Sequence, residues 1–109
     1  MTRFAVRWAA VAADDLTRII EHIAAESPIN ALKVADRIEA LARSLEHFPR
    51  RGHVVPELAR QGIQIWLEVN ASPWRLIYRI EGRRVEVAAL LDGRRNLEEV
   101  LFERLMRQD

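Results

Sequence analysis

The sequence contains no cysteine, a single lysine and a single tyrosine among its 109 residues. The absence of cysteine excludes disulfide bonds, thiol nucleophiles and cysteine-ligated metal sites. The longest uninterrupted apolar run, residues 8–13, has six residues, whereas a membrane-spanning helix needs about 20. The first residues lead directly into a strand-like pattern without an apolar signal segment, which predicts a cytoplasmic protein with no membrane partner.

The length suits one domain over residues 1–109, and half of the residues are apolar, which is enough for a core. The formal net charge is only +1, but residues 50–95 carry nine basic and five acidic side chains, a net charge of +4. Lys33 is the only basic residue that is not an arginine. A GC-rich genome or a binding surface that uses arginine would each produce this bias.

The first half of the chain predicts a strand followed by two helices. Residues 3–8 alternate like a half-buried strand, and helical spacing begins near Ala10. Ser27 and Pro28 end the first helix and start the second, because serine caps a helix and proline suits its first position. The short connection predicts an antiparallel helical hairpin. Its apolar stripes are Leu16, Ile19, Ile20 and Ile23 in the first helix and Ala31, Val34, Ile38, Leu41 and Leu45 in the second.

The second half predicts three strands after a loop. Pro49, Gly52 and Pro56 interrupt residues 48–62, which we therefore expect to be a loop. Alternating patterns then predict strands over residues 64–69, 74–80 and 84–91, and Glu81-Gly82-Arg83 is short enough for a hairpin.

A final helix follows, with Asn96 as its cap and Glu99 at the capping-box position. Its apolar stripe is Leu97, Val100, Leu101 and Leu105. The predicted order is β-α-α-β-β-β-α, an α+β fold with the helical hairpin packed on a largely antiparallel sheet. We expect the stripes of both helices to be buried together with Leu76 or Tyr78.

Five segments, taken in order, make the sequence similar to the RelE/ParE superfamily of type II toxins. They are A-x-x-D-L-x-x-I at residues 12–19, L-x-x-F-P-x-x-G at 45–52, V-P-E-L at 55–58, W-R-L-I-Y-R-I at 74–80 and L-L-D-G-R-R-N-L at 90–97. No single segment is specific, but their order covers nearly the whole chain. The resemblance implies the same α+β fold and the toxin role in a toxin–antitoxin module.

The superfamily resemblance leaves two activities open, since RelE-like members cleave messenger RNA on the ribosome and ParE-like members poison DNA gyrase. The RelE-like pattern implies lysines on or before the strand that contains Arg75, a second arginine at Arg94 or Arg95, and a tyrosine near Leu101. The preceding strand has no lysine and carries Glu68 instead. Two charge-stabilising arginines therefore remain without groups for proton transfer, which argues against ribonuclease activity.

Other catalytic patterns are weak. The chain's three histidines, His22, His47 and His53, have no metal-ligand spacing, so we expect no metal and no cofactor. Asp14 and Asp15 are adjacent and point about 100° apart on a helix, so support of the helix dipole is a better interpretation than an acid–base pair.

One strand places aromatic and basic residues on opposite faces. Trp74, Leu76, Tyr78 and Ile80 form one face, which either packs beneath the helices or stacks on bases. Arg75 and Arg79 share the other face, which would be solvent-exposed, so we expect a partner to cover it. The arginine pairs at 50–51, 83–84 and 94–95 converge on one patch or are separately solvated, and both readings stay open.

We therefore expect a ParE-like toxin that inhibits DNA gyrase without catalysis and is neutralised by a ParD-like antitoxin with a ribbon-helix-helix N-terminus. Operator DNA would be bound only through the antitoxin. The expected target-binding residues are Arg75, Arg94 and Arg95, and the expected antitoxin-binding residues are Arg75, Arg79 and Arg83. A RelE-like ribosome-dependent endoribonuclease is the alternative, and a purely regulatory member that binds only antitoxin and operator is a third class.

Overall fold

The chain folds around one mixed sheet. The computed structural model describes residues 3–94 and 98–106, and within these ranges it contains five strands and four helices. They are β1 (Ala5–Trp8), α1 (Ala10–Glu26), α2 (Pro28–Ser44), β2 (His53–Val54), α3 (Pro56–Ala59), β3 (Leu67–Ala71), β4 (Trp74–Glu81), β5 (Arg84–Asp92) and α4 (Glu98–Met106). The strand order is β1-β5-β4-β3-β2. Only the β1–β5 pairing is parallel among these strands, so the predicted α+β fold is confirmed.

The helical hairpin forms as its sequence predicts. Ser27 separates α1 from α2, and its Oγ accepts a hydrogen bond from the Asn30 amide at 3.2 Å. Pro28 occupies the first position of α2, where a missing N–H costs no intrahelical hydrogen bond. α1 and α2 pack against each other, and α1 also packs against β5. The hairpin therefore covers one face of the sheet.

The main core lies between the hairpin and that face of the sheet. Its buried members include Ala12, Ile38, Leu45, Leu76, Tyr78, Val85, Val87 and Leu90. Leu16, Ile19, Val34 and Leu41 are partly buried against it, as expected, and so is Trp74, so the aromatic face of β4 packs beneath the helices. Ile23 is half-buried but lies outside this cluster.

A second core covers the opposite face of the sheet, and the expectation that a partner covers this face is wrong. Ile77 projects there and packs with residues of α3 and its N-cap, of α4 and of the loop before β3, namely Val55, Leu58, Trp66, Leu101 and Leu105. β5 contains a bulge opposite Ile77 and Tyr78. Ile77 pairs with Ala89 and Tyr78 pairs with Val87, which leaves Ala88 as the extra residue. Ala88 and Ala89 both belong to this second core. The chain thus builds its own cover from its C-terminal helix and α3.

Two sequence-based boundaries need correction. The expected loop at residues 48–62 contains β2 and α3. The strand predicted over residues 64–69 begins at Leu67 and not at residue 64, because its pairing with β4 starts at Leu67 opposite Tyr78. Consequently Ile65 is exposed, and Trp66 precedes the strand.

The β4–β5 hairpin forms as predicted, with Gly82 at a φ of 62° that favours glycine. The expected helix cap at Asn96 and the stripe residue Leu97 lie outside the described residues. No helix in the described part of the chain has both the length and the apolar character needed to cross a bilayer.

Candidate functional site

The side chain of Arg75 lies between two carboxylates. Its Nη1 and Nη2 donate to the two oxygens of Glu57 in α3 at 2.6 and 2.8 Å. Its Nε donates to Glu68 Oε1 in β3 at 2.8 Å, and Nη2 also donates to Glu68 Oε2. The Arg75 side chain is 14% exposed and that of Glu68 only 2%. The guanidinium is therefore engaged in two bidentate pairs, which are strong and geometrically demanding contacts.

The electrostatics of this cluster oppose anion binding. Hydrogen bonding to Arg75 lowers the pKa of Glu57 below its ordinary value, and the hydrogen bonds to Glu57 and then to Glu68 raise the pKa of Arg75. Two carboxylates and one guanidinium give the three side chains a formal charge of −1. The exposed imidazole of His53 lies 3.7 Å from Glu68 and adds a cation only when protonated. A phosphate would have to displace a carboxylate to reach Arg75.

The hydroxyl of Tyr78, the chain's single tyrosine, is part of the fold. It donates to the carbonyl oxygen of Pro49 at 2.7 Å and accepts from the amide of Gly52 at 3.1 Å. Burial raises the pKa of Tyr78. A Cβ on Gly52 would lie 2.6 Å from both the Glu68 carbonyl oxygen and the Tyr78 hydroxyl, so only glycine fits here. These contacts explain the glycine of the F-P-x-x-G segment and engage the Tyr78 hydroxyl as both donor and acceptor.

Arg79 and Arg83 occupy the other end of β4 and the turn after it. The Arg79 guanidinium lies 5.3 Å from the ring centroid of Trp66, a cation–π distance. It also pairs with Glu81 at 3.2 Å and lies 3.8 Å from Glu86. Arg83 is exposed in the turn. Of the two residues, Arg83 is thus the more accessible to a partner.

Arg94 lies two residues after the last residue of β5, and its side chain is 70% exposed. Its Nη2 and Nε donate to the two oxygens of Asp92 at 2.8 and 3.0 Å, and its amide also bonds to that carboxylate. The hydrogen bond with Asp92 raises the pKa of Arg94. This pairing orients an exposed cation at the end of the sheet. Arg95 lies outside the described residues.

Arg83 and Arg94 do not converge on one patch. Arg83 precedes β5 and Arg94 follows it, and nine residues of strand separate the two by about 30 Å. Arg75 pairs with Leu91 near the Arg94 end, whereas Arg79 pairs with Glu86 near the Arg83 end. The sheet therefore creates two separate basic positions, one at each end of β5.

α4 combines a buried and an exposed apolar surface. Leu101 and Leu105 enter the second core, while Val100 and Phe102 are exposed. Beside α4 lies an open groove of about 340 Å³ lined by Leu58, Ile63, Ile65, Trp66, Arg79, Phe102 and Leu105. The exposed side chains of Ile65 and Phe102 lie together in this groove, and such a contiguous apolar patch indicates a contact surface.

Asp15 has a role that differs from the expected support of the helix dipole. It lies beyond the first turn of α1, which contains no acidic residue. Its carboxylate accepts hydrogen bonds from the Leu90 amide at 3.1 Å and from Arg104 of α4 at 2.8 and 3.2 Å. Asp14 is exposed. Among the described residues, no group of three or more His, Asp or Glu side chains is placed to hold a metal ion.

Comparison with known proteins assigns the family. The family model of the ParE toxin of type II toxin–antitoxin system, parDE, matches residues 6–97. The chain belongs to the ParE toxin family. Toxin ParE3 of Caulobacter vibrioides is 34% identical over 87 residues, which cover 76% of this chain and 80% of that protein.

Two solved structures share the fold of this ParE-family toxin. The chromosomal ParDE toxin–antitoxin system from P. aeruginosa has a chain that matches with a TM-score of 0.68 at 19% identity, covering 83% of this chain and 96% of that one. The toxin–antitoxin complex RelBE2 from Mycobacterium tuberculosis matches with a TM-score of 0.60, also at 19% identity, covering 84% and 93%. At this identity the matches establish the fold alone.

The partners of the key charges in this ParE-family toxin are not evident from its sequence. Glu57 lies in the segment predicted to be a loop, although Pro56 followed by an acidic residue is a typical helix start. Arg104 carries no signal of its own, because its partner Asp15 is 89 residues away in sequence. No local pattern indicates a contact of that separation.

Proposed function

We propose that this ParE-family toxin inhibits DNA gyrase without catalysis in the cytoplasm and is neutralised by a cognate antitoxin. The supporting observation is the placement of Arg75 between Glu57 and Glu68. RNA cleavage needs a positive group directed at the scissile phosphate, to stabilise the negative charge that develops there in the transition state. Arg75 is the strand arginine that the RelE-like pattern would use, and it is paired with two carboxylates. The only tyrosine of the chain, Tyr78, is buried.

The proposed target-binding surface consists of Arg94, Arg95 and the exposed side of α4. Arg94 presents its guanidinium at the end of β5, and Val100 of α4, which lines an open cavity together with Asp92, adds exposed apolar area there. Arginine is enriched among the residues that dominate binding at protein interfaces. Arg75 is available to this surface only when its ion pair with Glu57 is broken. Glu57 is the more exposed of its two carboxylate partners.

The proposed antitoxin-binding surface begins on the helical hairpin. Ile29 and Leu32 lie one turn apart at the start of α2 and are 69% and 68% exposed. Such an i, i+3 pair suits the apolar anchors of a partner segment. Arg79 and Arg83 are the proposed contacts for acidic groups of the same antitoxin. We infer a ParD-like antitoxin whose ribbon-helix-helix N-terminus alone contacts operator DNA.

The deciding experiment uses purified toxin in two assays. Gyrase supercoiling and the accumulation of cleaved DNA are measured with toxin alone and with toxin plus its antitoxin, and messenger RNA cleavage is measured on translating ribosomes. The proposal predicts loss of supercoiling with accumulation of cleaved DNA, reversal by antitoxin, and intact messenger RNA. Cleavage of messenger RNA in the ribosomal A site with unaffected gyrase would instead establish the endoribonuclease alternative.

The contribution of the arginines at the end of β5 is tested by the double variant Arg94→Ala/Arg95→Ala. We expect the double variant to lose gyrase inhibition and to keep its melting temperature and its affinity for the antitoxin. The reason is that Arg94 is exposed and that the hydrogen bonds described above join it to Asp92, which is two residues away. Arg50→Ala is the matched control, since Arg50 is also an exposed loop arginine. Full activity of the double variant would remove these residues from the target surface.

A further inference from the structure

We propose that Asp15 is a positioning residue for the target-binding surface, acting through Arg104 to hold α4 in place. The inference rests on the proposed function in one respect, namely that α4 contributes to the target-binding surface. Its structural part, the docking of α4, is independent of the target.

α4 depends on docking for its stability. Its described part has nine residues, and isolated helices of about this length are marginal in water. Leu101 and Leu105 pack one turn apart into the second core beside Leu58 and Trp66. Apolar burial is non-directional, so these contacts hold the helix on the sheet without fixing its rotation precisely.

Asp15 supplies the directional contact. Its side chain is 7% exposed and accepts both Nη1 and Nη2 of Arg104, at 2.8 and 3.2 Å, while the Leu90 amide bonds to the same carboxylate. One buried group therefore joins α1, β5 and α4. A bidentate arginine–carboxylate pair adds geometric specificity to its energy.

This pair also determines what α4 exposes. Arg104 lies within one turn of both Leu101 and Leu105, so the ion pair and the apolar anchors share one side of the helix. Val100 and Phe102 remain exposed. If the pair is broken, the helix can rotate or detach, and the exposed side chains lose their fixed position.

Arg18 provides a matched control. Its Nη2 lies 3.5 Å from Asp15 Oδ1, but its side chain is 68% exposed and it belongs to α1, the same helix as Asp15. Arg18→Gln and Arg104→Gln therefore remove the same charge beside the same carboxylate. Only the second change breaks a connection to α4.

Amide hydrogen exchange tests the docking. In Arg104→Gln we expect the hydrogen-bonded amides of α4 to exchange at least about tenfold faster, as expected for a lost charge-assisted pair, while the amides of α2 stay unchanged. Arg18→Gln should stay within about twofold of the wild type at both helices. Asp15→Asn, which keeps an oxygen for the Leu90 amide, should reproduce Arg104→Gln. Equal acceleration in α2 and α4, or no acceleration in α4, would overturn the proposal.

Gyrase inhibition tests the positioning role with the same full-length variants. We expect the concentration for half-inhibition to rise about tenfold in Arg104→Gln, to stay unchanged in Arg18→Gln, and to be partly restored by Arg104→Lys, which keeps the charge without the planar fork. Faster exchange in α4 with unchanged inhibition would refute the positioning role. If the wild-type toxin does not inhibit gyrase, the proposed function fails, and the exchange result still decides whether Asp15 holds α4.

Discussion

Replacing Arg75 by methionine should destabilise the toxin strongly, because it leaves a buried carboxylate without its partner. Glu68 is 2% exposed and loses both hydrogen bonds from Arg75. Removing one member of a buried ion pair costs about 3–5 kcal/mol. Glu57 is more exposed and can turn toward water, so we assign it little of this cost. Against a total stability of about 5–15 kcal/mol for a domain of this kind, the loss is severe.

The assays are denaturant unfolding, for the free energy, and thermal unfolding, for the melting temperature, of the wild type, Arg75→Met and the double variant Arg75→Met/Glu68→Met. A loss of 3–5 kcal/mol corresponds to a fall in melting temperature of roughly 12–25 °C. The double variant should recover to within about 1 kcal/mol of the wild type, because an apolar pair of similar volume often replaces a buried ion pair without cost. A loss below about 1 kcal/mol in Arg75→Met, or no recovery in the double variant, would refute this reasoning.

The recovered double variant also separates two roles of Arg75. If Arg75 only joins α3 and β3 to β4, the folded double variant should inhibit gyrase as well as the wild type does. If Arg75 contacts the target, inhibition should be lost although the fold is intact. Measuring supercoiling with this variant therefore tests the proposed place of Arg75 in the target-binding surface.

Three further predictions concern pH, a close backbone contact and the antitoxin. Glu57→Gln should be less stable than the wild type at pH 7, and this difference should shrink as the pH falls below about 4.5, because the lowered pKa of Glu57 gives stability that is fully present above its ordinary value of 4.5 and is lost as the pH falls toward its folded value. Unfolding free energies at about pH 7 and 3 check this, and a constant difference would contradict it. Gly52→Ala should cost about 1–3 kcal/mol because its Cβ meets backbone at 2.6 Å; unchanged thermal unfolding would show that the loop adapts. Ile29→Ser/Leu32→Ser should weaken antitoxin binding by at least about tenfold without lowering the melting temperature, as judged by calorimetry, because both side chains are exposed; unaltered affinity would exclude this part of α2.

Local pattern was sufficient for most of the secondary structure. The helical hairpin, its Ser27 cap and the β4–β5 turn depend on neighbouring residues, so their periodicity and capping chemistry predict them directly. α3 and the late start of β3 were not predicted. Both depend on pairing and packing with distant elements, since β3 begins where Leu67 pairs with Tyr78 and α3 is held in the second core.

For the candidate sites too, some features follow from the sequence and others depend on contacts between distant residues. The sequence alone determined which chemistry is scarce, because a chain with one lysine, one tyrosine and no cysteine has few groups for proton transfer or nucleophilic attack. It also contains the ordered motifs that resemble the RelE/ParE superfamily. It could not determine that Arg75 is engaged in ion pairs, because the two carboxylate partners of Arg75 lie 7 and 18 residues away on other elements.

The tertiary structure alone decided how charges are paired and separated. Strand order and α3 bring two carboxylates to Arg75, the length of β5 separates Arg83 from Arg94, and the return of α4 brings Arg104 to Asp15 across 89 residues. An ion pair depends on distances of a few ångströms, which periodicity and composition do not contain. The residue types were therefore evident from the sequence, whereas their availability to a partner was set by the fold.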